Sequence, residues 1–287
     1  MQNLIVLGAD GQLGKKISHD FKSAYNVIPL DRSKCDLNNL HMLRDVIESH
    51  KPSVVVNCAA YTNVDRAEED FDKCLSVNYH AVKALAELSN KLKFKLIHFS
   101  TDYIFNEKNH IPIKENNTKN PINNYGISKL RGETAIGQVC RDFYIFRTSW
   151  VYSNNGSNFP KTILDLAKKK ESLDIVNDQF GSPTSVNLIS NIVLLSLKKN
   201  IKKGIYHISP DGVCSWFDIA TEILQYTQKQ NGYILQNINS VSSSQFLTKA
   251  KRPNFSYLDN SKIEKILGVE IQNWRVYFHK FLMGETE

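Results

Sequence analysis

The stretch "LIVLGADGQLGKKI", residues 4–17, limits the possible folds more than any other part of the chain. A short apolar run ends in three glycines, Gly8, Gly11 and Gly14, and an amphipathic segment, "QLGKKISHDFKS", follows. Glycines at a strand-to-helix turn allow a tight bend and bring backbone amides to a pyrophosphate at the helix N-terminus. Three glycines alone are a weak signal; context strengthens them. A second apolar run, "YNVIPLD", ends in Asp31 about twenty residues after Gly11, the spacing of a dinucleotide site. The loop residues are then Gly8, Gly11, Gln12, Leu13 and Gly14, with Asp31 facing the adenosine ribose. Arg32 beside it can meet a 2′-phosphate, so the pair leaves NADH and NADPH both open and the basic side chain favours NADPH.

The alternation continues. "LNNLHMLRDVIESH" reads as a helix with Asp36 as N-cap, and "PSVVVNCA" as a strand buried on both faces by its valine run. Residues 65–91 read as one long helix or two short ones, and "FKLIHFS" and "FYIFRTSWVY" as further strands. Strand and helix repeated this way imply an α/β fold, a Rossmann-type doubly wound parallel sheet. After about residue 150 the pattern loosens into short strands ("LDIVN", "GIYHIS") and helices near 184–199, 215–229 and 259–266. The expected organisation is an NAD(P)-binding domain over 1–150 and a smaller α/β substrate lobe over 151–287, with part of the later chain free to return to the first domain.

Composition excludes several classes. The longest clean apolar run near the start is "LIVL", too short for a signal peptide or membrane span, so a cytosolic protein without a membrane partner is expected. Five scattered cysteines with no C-x-x-C pair argue for reduced thiols and against a zinc site. The net charge of +7 comes from lysines spread along the chain, and no nucleic-acid motif accompanies them, so no nucleic-acid partner is expected. A basic protein suits small anionic ligands.

Ligands of open parallel sheets bind beyond the carboxyl ends of the strands, and three polar clusters fall there. "NCAAYTNVDRAE" offers the small Ala59 and Ala60 for a cofactor to lie against. "STDYIF" puts Thr101 at a strand end. "NNYGISKLRGE" sets Tyr125 four residues before Lys129, on one helix face. A nearby ammonium lowers a phenol's pKa, so Tyr125 is expected to protonate a carbonyl oxygen as a dihydronicotinamide delivers hydride. Thr101 would orient that oxygen, and Lys129 would tune the phenol and hold the nicotinamide ribose.

These elements together resemble the extended short-chain dehydrogenase/reductase family, in its branch of nucleotide-sugar ketoreductases. The matching stretches include "GADGQLG", "NCAAYTNVDRAEED", "STDYIFNEKNHIPIKE", "NNYGISKLRGE", "FRTSWVYS", "VNDQFGSPTS" and "RPNFSYLD", running in order from residue 8 to about 259. The resemblance implies Thr101, Tyr125 and Lys129 as catalytic residues and a dTDP-linked 4-keto-6-deoxyhexose as substrate. It places Thr62, Asp102, Tyr103 and Trp150 around the sugar, and Asn177, Gln179 and Arg252 toward the nucleotide, where an arginine suits a diphosphate. Dehydratases of the superfamily carry Thr-Asp-Glu at this strand end; here Tyr103 follows Asp102, so reduction without elimination is implied. A non-catalytic regulatory subunit retaining the cofactor site is the competing reading, and the intact Thr101, Tyr125, Lys129 set speaks against it. Some relatives form a magnesium-bridged dimer through an acid just after the glycine loop. Lys15 and Lys16 stand there in this chain, and lysine does not ligate magnesium at neutral pH, so no metal is expected and monomer or homodimer stays open.

Overall fold

The computed structural model describes residues 1–285. Among them, six parallel strands form the main sheet: β1 (Asn3–Leu7), β2 (Asn26–Leu30), β3 (Val54–Asn57), β4 (Lys95–Thr101), β5 (Phe143–Thr148) and β7 (Gly204–His207), in the order β7-β5-β4-β3-β1-β2. The valines of β3 are buried on both sides, as a central strand covered by helices on both faces requires. Helices α1 (Gln12–Asp20), α7 (Val186–Lys199) and α9 (Ser261–Leu267) cover one face through Ile17, Ile189, Val193 and Ile263. Helices α2 (Leu40–His50), α4 (Ala81–Leu92) and α5 (Asn124–Val139) cover the other through Leu43, Ile47, Leu85 and Ile136.

Strand order reverses between β1 and β3, and this opens a crevice at their carboxyl ends. Gly8 closes β1 there with φ +70°, and an added Cβ would lie 2.8 Å from the Ala59 backbone. Only glycine fits.

The second lobe is built on β6 (Ser172–Val176), paired in parallel with β8 (Asn237–Val241). Against it pack α6 (Phe159–Ala167), α8 (Trp216–Thr227) and α10 (Trp274–Leu282), around Ile163, Ile219, Ile223 and the fully buried Trp274. A capping box starts α8, with Ser215 and Asp218 satisfying each other's backbone amides.

Several elements differ from the sequence reading. Asn39, not Asp36, caps α2, because its side chain accepts from Met42 N while Asp36 holds a local turn with Asn38. "FYIFRTSWVY" is broken after Thr148: Trp150 takes φ +48° and Val151–Tyr152 pairs separately with Thr184–Ser185. "GIYHIS" extends the main sheet beside β5. Residues 65–91 form a short 3-10 turn, α3 (Phe71–Leu75), a π turn at Ser76–His80 and α4.

Candidate functional site

The crevice at the β1/β3 reversal is a cleft of about 340 Å³ lined by Gly8, Asp10, Arg32, Asp36, Ala59 and Ala60 among others. Its glycines fit a pyrophosphate. Gly11 caps α1 without a side chain, and a Cβ on Gly14 would lie 2.1 Å from Gly8 O, so the loop packs tightly behind an open helix N-terminus. Asp31 is placed differently from the expectation. Its Oδ1 accepts from Ser33 N, Ser33 Oγ and Lys34 N at 3.0, 2.6 and 3.2 Å, so it holds its own turn while Arg32, Cys35 and Asp36 line the cleft. These bonds, Ser33 Oγ foremost, hold its carboxyl below the ordinary range. Gln12 also turns away: its Oε1 accepts from Ser153 Oγ at 2.9 Å and Asn158 Nδ2 at 2.8 Å, tying α1 to the second lobe. Leu13, half-buried, packs against the core. Thr62, expected beside the sugar, lines this cleft with Ala59 and Ala60.

The end of β4 and the start of α5 meet beyond the carboxyl edge of the sheet. Asn123 caps α5, accepting from Gly126 N at 2.8 Å, and its amide donates to Lys251 O at 2.8 Å. The helix that carries Tyr125 is thereby fastened to the second lobe. Thr101 Oγ1 accepts from Tyr103 N at 3.1 Å, donates to Asp102 Oδ1 at 2.9 Å and lies beside the Tyr125 phenol. Tyr103 meets the Tyr125 ring edge-on, with centroids 5.7 Å apart. Asp102 is buried; burial pushes its carboxyl up to about 6, and Ser256 and Thr101 offset this only in part. Its Oδ2 makes no hydrogen bond of normal geometry.

The tuning of Tyr125 by Lys129 is corrected. Burial drives the phenol above its ordinary value, with Thr101 as the main opposing influence. The Lys129 side chain leaves the shared helix face for the sheet: Nζ donates to Phe99 O at 2.6 Å and lies 3.2 Å from His98 Nε2. A buried cation must satisfy its donors, and the β4 carbonyl does so here. Burial lowers Lys129 to about 8, opposed by Glu133 one turn along. Glu133 is itself held in a buried fork by Arg147, at 2.7 to 3.2 Å.

A second cavity, about 840 Å³, opens in the second lobe. Phe159, Leu166, Ile175 and Trp216 supply apolar walls, and Lys170, Gln179, Asn239 and Arg252 supply polar groups. Arg252 reaches back to the first lobe: Nη2 donates to Asp65 Oδ2 at 2.8 Å and Nη1 to Tyr103 OH at 3.3 Å. Trp150 does not line the cavity. It stacks on Trp216, centroids 3.7 Å apart at 14°, and so braces the wall. Asn177 is exposed outside it, bonded through its backbone to Val241 O, and Asn239 stands on the rim instead.

Sequence reasoning missed Asn78. Its amide accepts from Tyr61 N at 2.9 Å and donates to Tyr61 O at 3.0 Å and Ser128 Oγ at 2.9 Å, joining the cofactor-side loop to α5 from a π turn. The one signal in the sequence was a lone asparagine within an apolar helical repeat; π turns of this kind gather at functional sites. Among the described residues, no group of three or more His, Cys, Asp or Glu is placed to hold a metal, and no helix is long and apolar enough to cross a membrane.

A family model described as RmlD substrate binding domain matches residues 1–286. The chain is 32% identical over 289 residues to dTDP-4-dehydrorhamnose reductase of Escherichia coli K12, covering 98% of this chain and 97% of that protein. It is 35% identical to the spore coat polysaccharide biosynthesis protein SpsK of Bacillus subtilis, covering 100% and 99%. Among solved structures it is similar to dTDP-4-dehydrorhamnose reductase of Bacillus anthracis in complex with NADP, with a TM-score of 0.93, 32% identity and 99% of each chain covered.

Proposed function

The chain belongs to the RmlD substrate binding domain family, and from that premise we propose that it reduces the 4-keto group of dTDP-4-dehydro-L-rhamnose, giving dTDP-L-rhamnose, with NADPH as reductant. The product is an activated deoxysugar of the kind used to build cell-surface polysaccharide. The observation that carries the reading is the placing of Thr101 beside Tyr125, with the Tyr103 ring edge-on to Tyr125 and its hydroxyl met by Arg252 from the larger cavity, in a fold that also holds a glycine-floored cleft.

The cleft holds the dinucleotide through the amides at Gly11 and the start of α1, with Arg32 available to a 2′-phosphate. Arg32 in the cleft and Asp31 turned into its own loop both support NADPH over NADH. The larger cavity takes the nucleotide, its apolar walls suiting a pyrimidine and Arg252 a diphosphate. When bound, NADPH supplies the hydride. The chain's own residues manage the proton. Because burial raises the Tyr125 phenol, it stays protonated at neutral pH, which is the form a general acid needs. An alkoxide developing on the sugar is more basic than a phenolate, so the proton passes from Tyr125 Oη to the sugar oxygen as charge accumulates. Thr101, fixed by Asp102 and Tyr103 N, holds the phenol in place. Lys129 lies one turn along the same helix, its Nζ anchored on Phe99 O of β4 rather than on the phenol.

The test is NADPH oxidation, followed optically, with a panel of 4-keto-6-deoxysugars carried on dTDP, UDP and GDP. Turnover is expected with dTDP-4-dehydrorhamnose and at a higher specificity constant than with the others. Absence of turnover with every nucleotide 4-keto sugar would overturn the reading.

A further inference from the structure

His98 lies in the middle of β4, almost wholly buried, and no role has yet been given to it. Both ring nitrogens face another nitrogen at 3.2 Å: Nδ1 faces Asn57 Nδ2, and Nε2 faces Lys129 Nζ. Burial first and the neighbouring Lys129 second keep the ring neutral. A neutral imidazole has one N–H and one lone pair, so its two neighbours must differ in what they offer.

Asn57 fixes one side. Ala59 N donates to Asn57 Oδ1 at 3.2 Å, so the amide presents Nδ2 to the ring and donates to Nδ1. The ring proton then sits on Nε2 and points at Lys129 Nζ. A donor pointing at Nζ needs a lone pair there, which only the neutral amine has; the amine can still donate to Phe99 O at 2.6 Å. An ammonium has three donors and no acceptor. For Lys129 to be charged, the ring proton must leave Nε2 for Nδ1 and Asn57 must turn its oxygen to the ring. Ala59 N–H then loses its acceptor, at a residue that lines the dinucleotide cleft and lies against Gly8.

We propose that His98 is a positioning residue whose tautomer is locked to the charge of Lys129, and which, through Asn57, links that charge to the Ala59 amide in the cofactor cleft. The inference rests on the site described under the proposed function, because it assigns Lys129 its place there. Burial of Lys129 brings its two forms within reach near neutral pH. The other groups facing it are fixed: the Cys74 thiol of α3 is pushed up and stays neutral, and Glu133 of α5 is paired with Arg147. Linkage is reciprocal, so a ligand that takes the freed Ala59 N–H favours the charged lysine.

The test is ¹⁵N NMR of the full chain labelled at histidine, titrated from about pH 6 to about pH 10 across the ordinary histidine and lysine ranges. The His98 signals are assigned by their loss in His98→Gln. The ring proton is expected on Nε2 at the alkaline end and on Nδ1 at the acid end, and Lys129→Met should abolish the crossover. In kinetics, His98→Gln, whose carboxamide can donate or accept, should stay within about threefold of the parent in kcat. His98→Leu should lose about tenfold or more in kcat, the scale of a lost supporting contact, and its kcat should no longer bend with pH near the Lys129 transition. A ring proton that stays on one nitrogen throughout, or a crossover that survives Lys129→Met, would overturn the inference. The NMR arm needs no substrate: a crossover in a chain that reduces no keto sugar would sink the proposed function and leave this inference standing.

Discussion

Asp102 gives the sharpest energetic prediction. Its carboxyl is 2% exposed, one oxygen makes no hydrogen bond of normal geometry, and its pKa rises from 3.8 to about 6. A rise of roughly two pH units corresponds to about 3 kcal/mol of preference for the protonated form in the folded state. The sign follows from the direction of the shift. Well below pH 3.8 the group is protonated both folded and unfolded and costs nothing. As pH climbs through the folded value near 6, the buried carboxylate must ionise and the stability is lost. Asp102→Asn removes the titration while keeping a carbonyl oxygen to accept from Thr101. Its stability relative to the parent should therefore improve by about 2 kcal/mol between pH 4.5 and pH 7.5, with little further change above about pH 6.5. Urea denaturation at several pH values reads this directly, with m unchanged and the midpoint difference growing with pH. The same variant should lose turnover, since a buried, incompletely bonded carboxylate kept against stability marks a functional position. A stability difference that does not vary with pH would refute the reasoning, because the burial argument allows no other course.

Glu133→Gln breaks the buried fork with Arg147 and should cost about 3–5 kcal/mol, the usual loss when one member of a buried pair is removed; thermal or urea melts measure it, and a loss below 1 kcal/mol would contradict the buried geometry. Gly14→Ala puts a methyl 2.1 Å from Gly8 O, so it should weaken NADPH binding at least tenfold by fluorescence titration, while unchanged affinity would mean the loop is not the cradle described. Arg32→Ser should raise KM for NADPH about tenfold, the size of one lost charge-assisted contact, and leave KM for NADH nearly unchanged; equal effects on both would place the 2′-phosphate elsewhere.

The sequence carried the parts of the site that depend on local pattern. Gly8, Gly11 and Gly14 were readable because a strand, a turn and a helix fix what a glycine there must do. Thr101 and Tyr125 were readable as neighbours because a strand end and a helix start converge beyond the sheet. What the side chains do after that was not readable. Asp31 folds onto Ser33, Lys129 turns to Phe99 O, and Trp150 braces Trp216, each because of a neighbour distant in sequence or a local turn that pattern does not encode. "GIYHIS" joins the main sheet through pairing with β5, a contact about sixty residues away that periodicity cannot register. The expected acidification of Tyr125 failed for the same reason: helical spacing gives a shared face, whereas the direction of the lysine head is set by the carbonyl it finds on β4.

The central claim is that Tyr125 holds the proton delivered to the sugar oxygen, and single-turnover kinetics of Tyr125→Phe test it most directly. The variant should bind NADPH as tightly as the parent and reduce dTDP-4-dehydrorhamnose about a hundredfold or more slowly, the usual scale for a lost general acid. Reduction at the parent's rate with the phenylalanine in place would contradict the account.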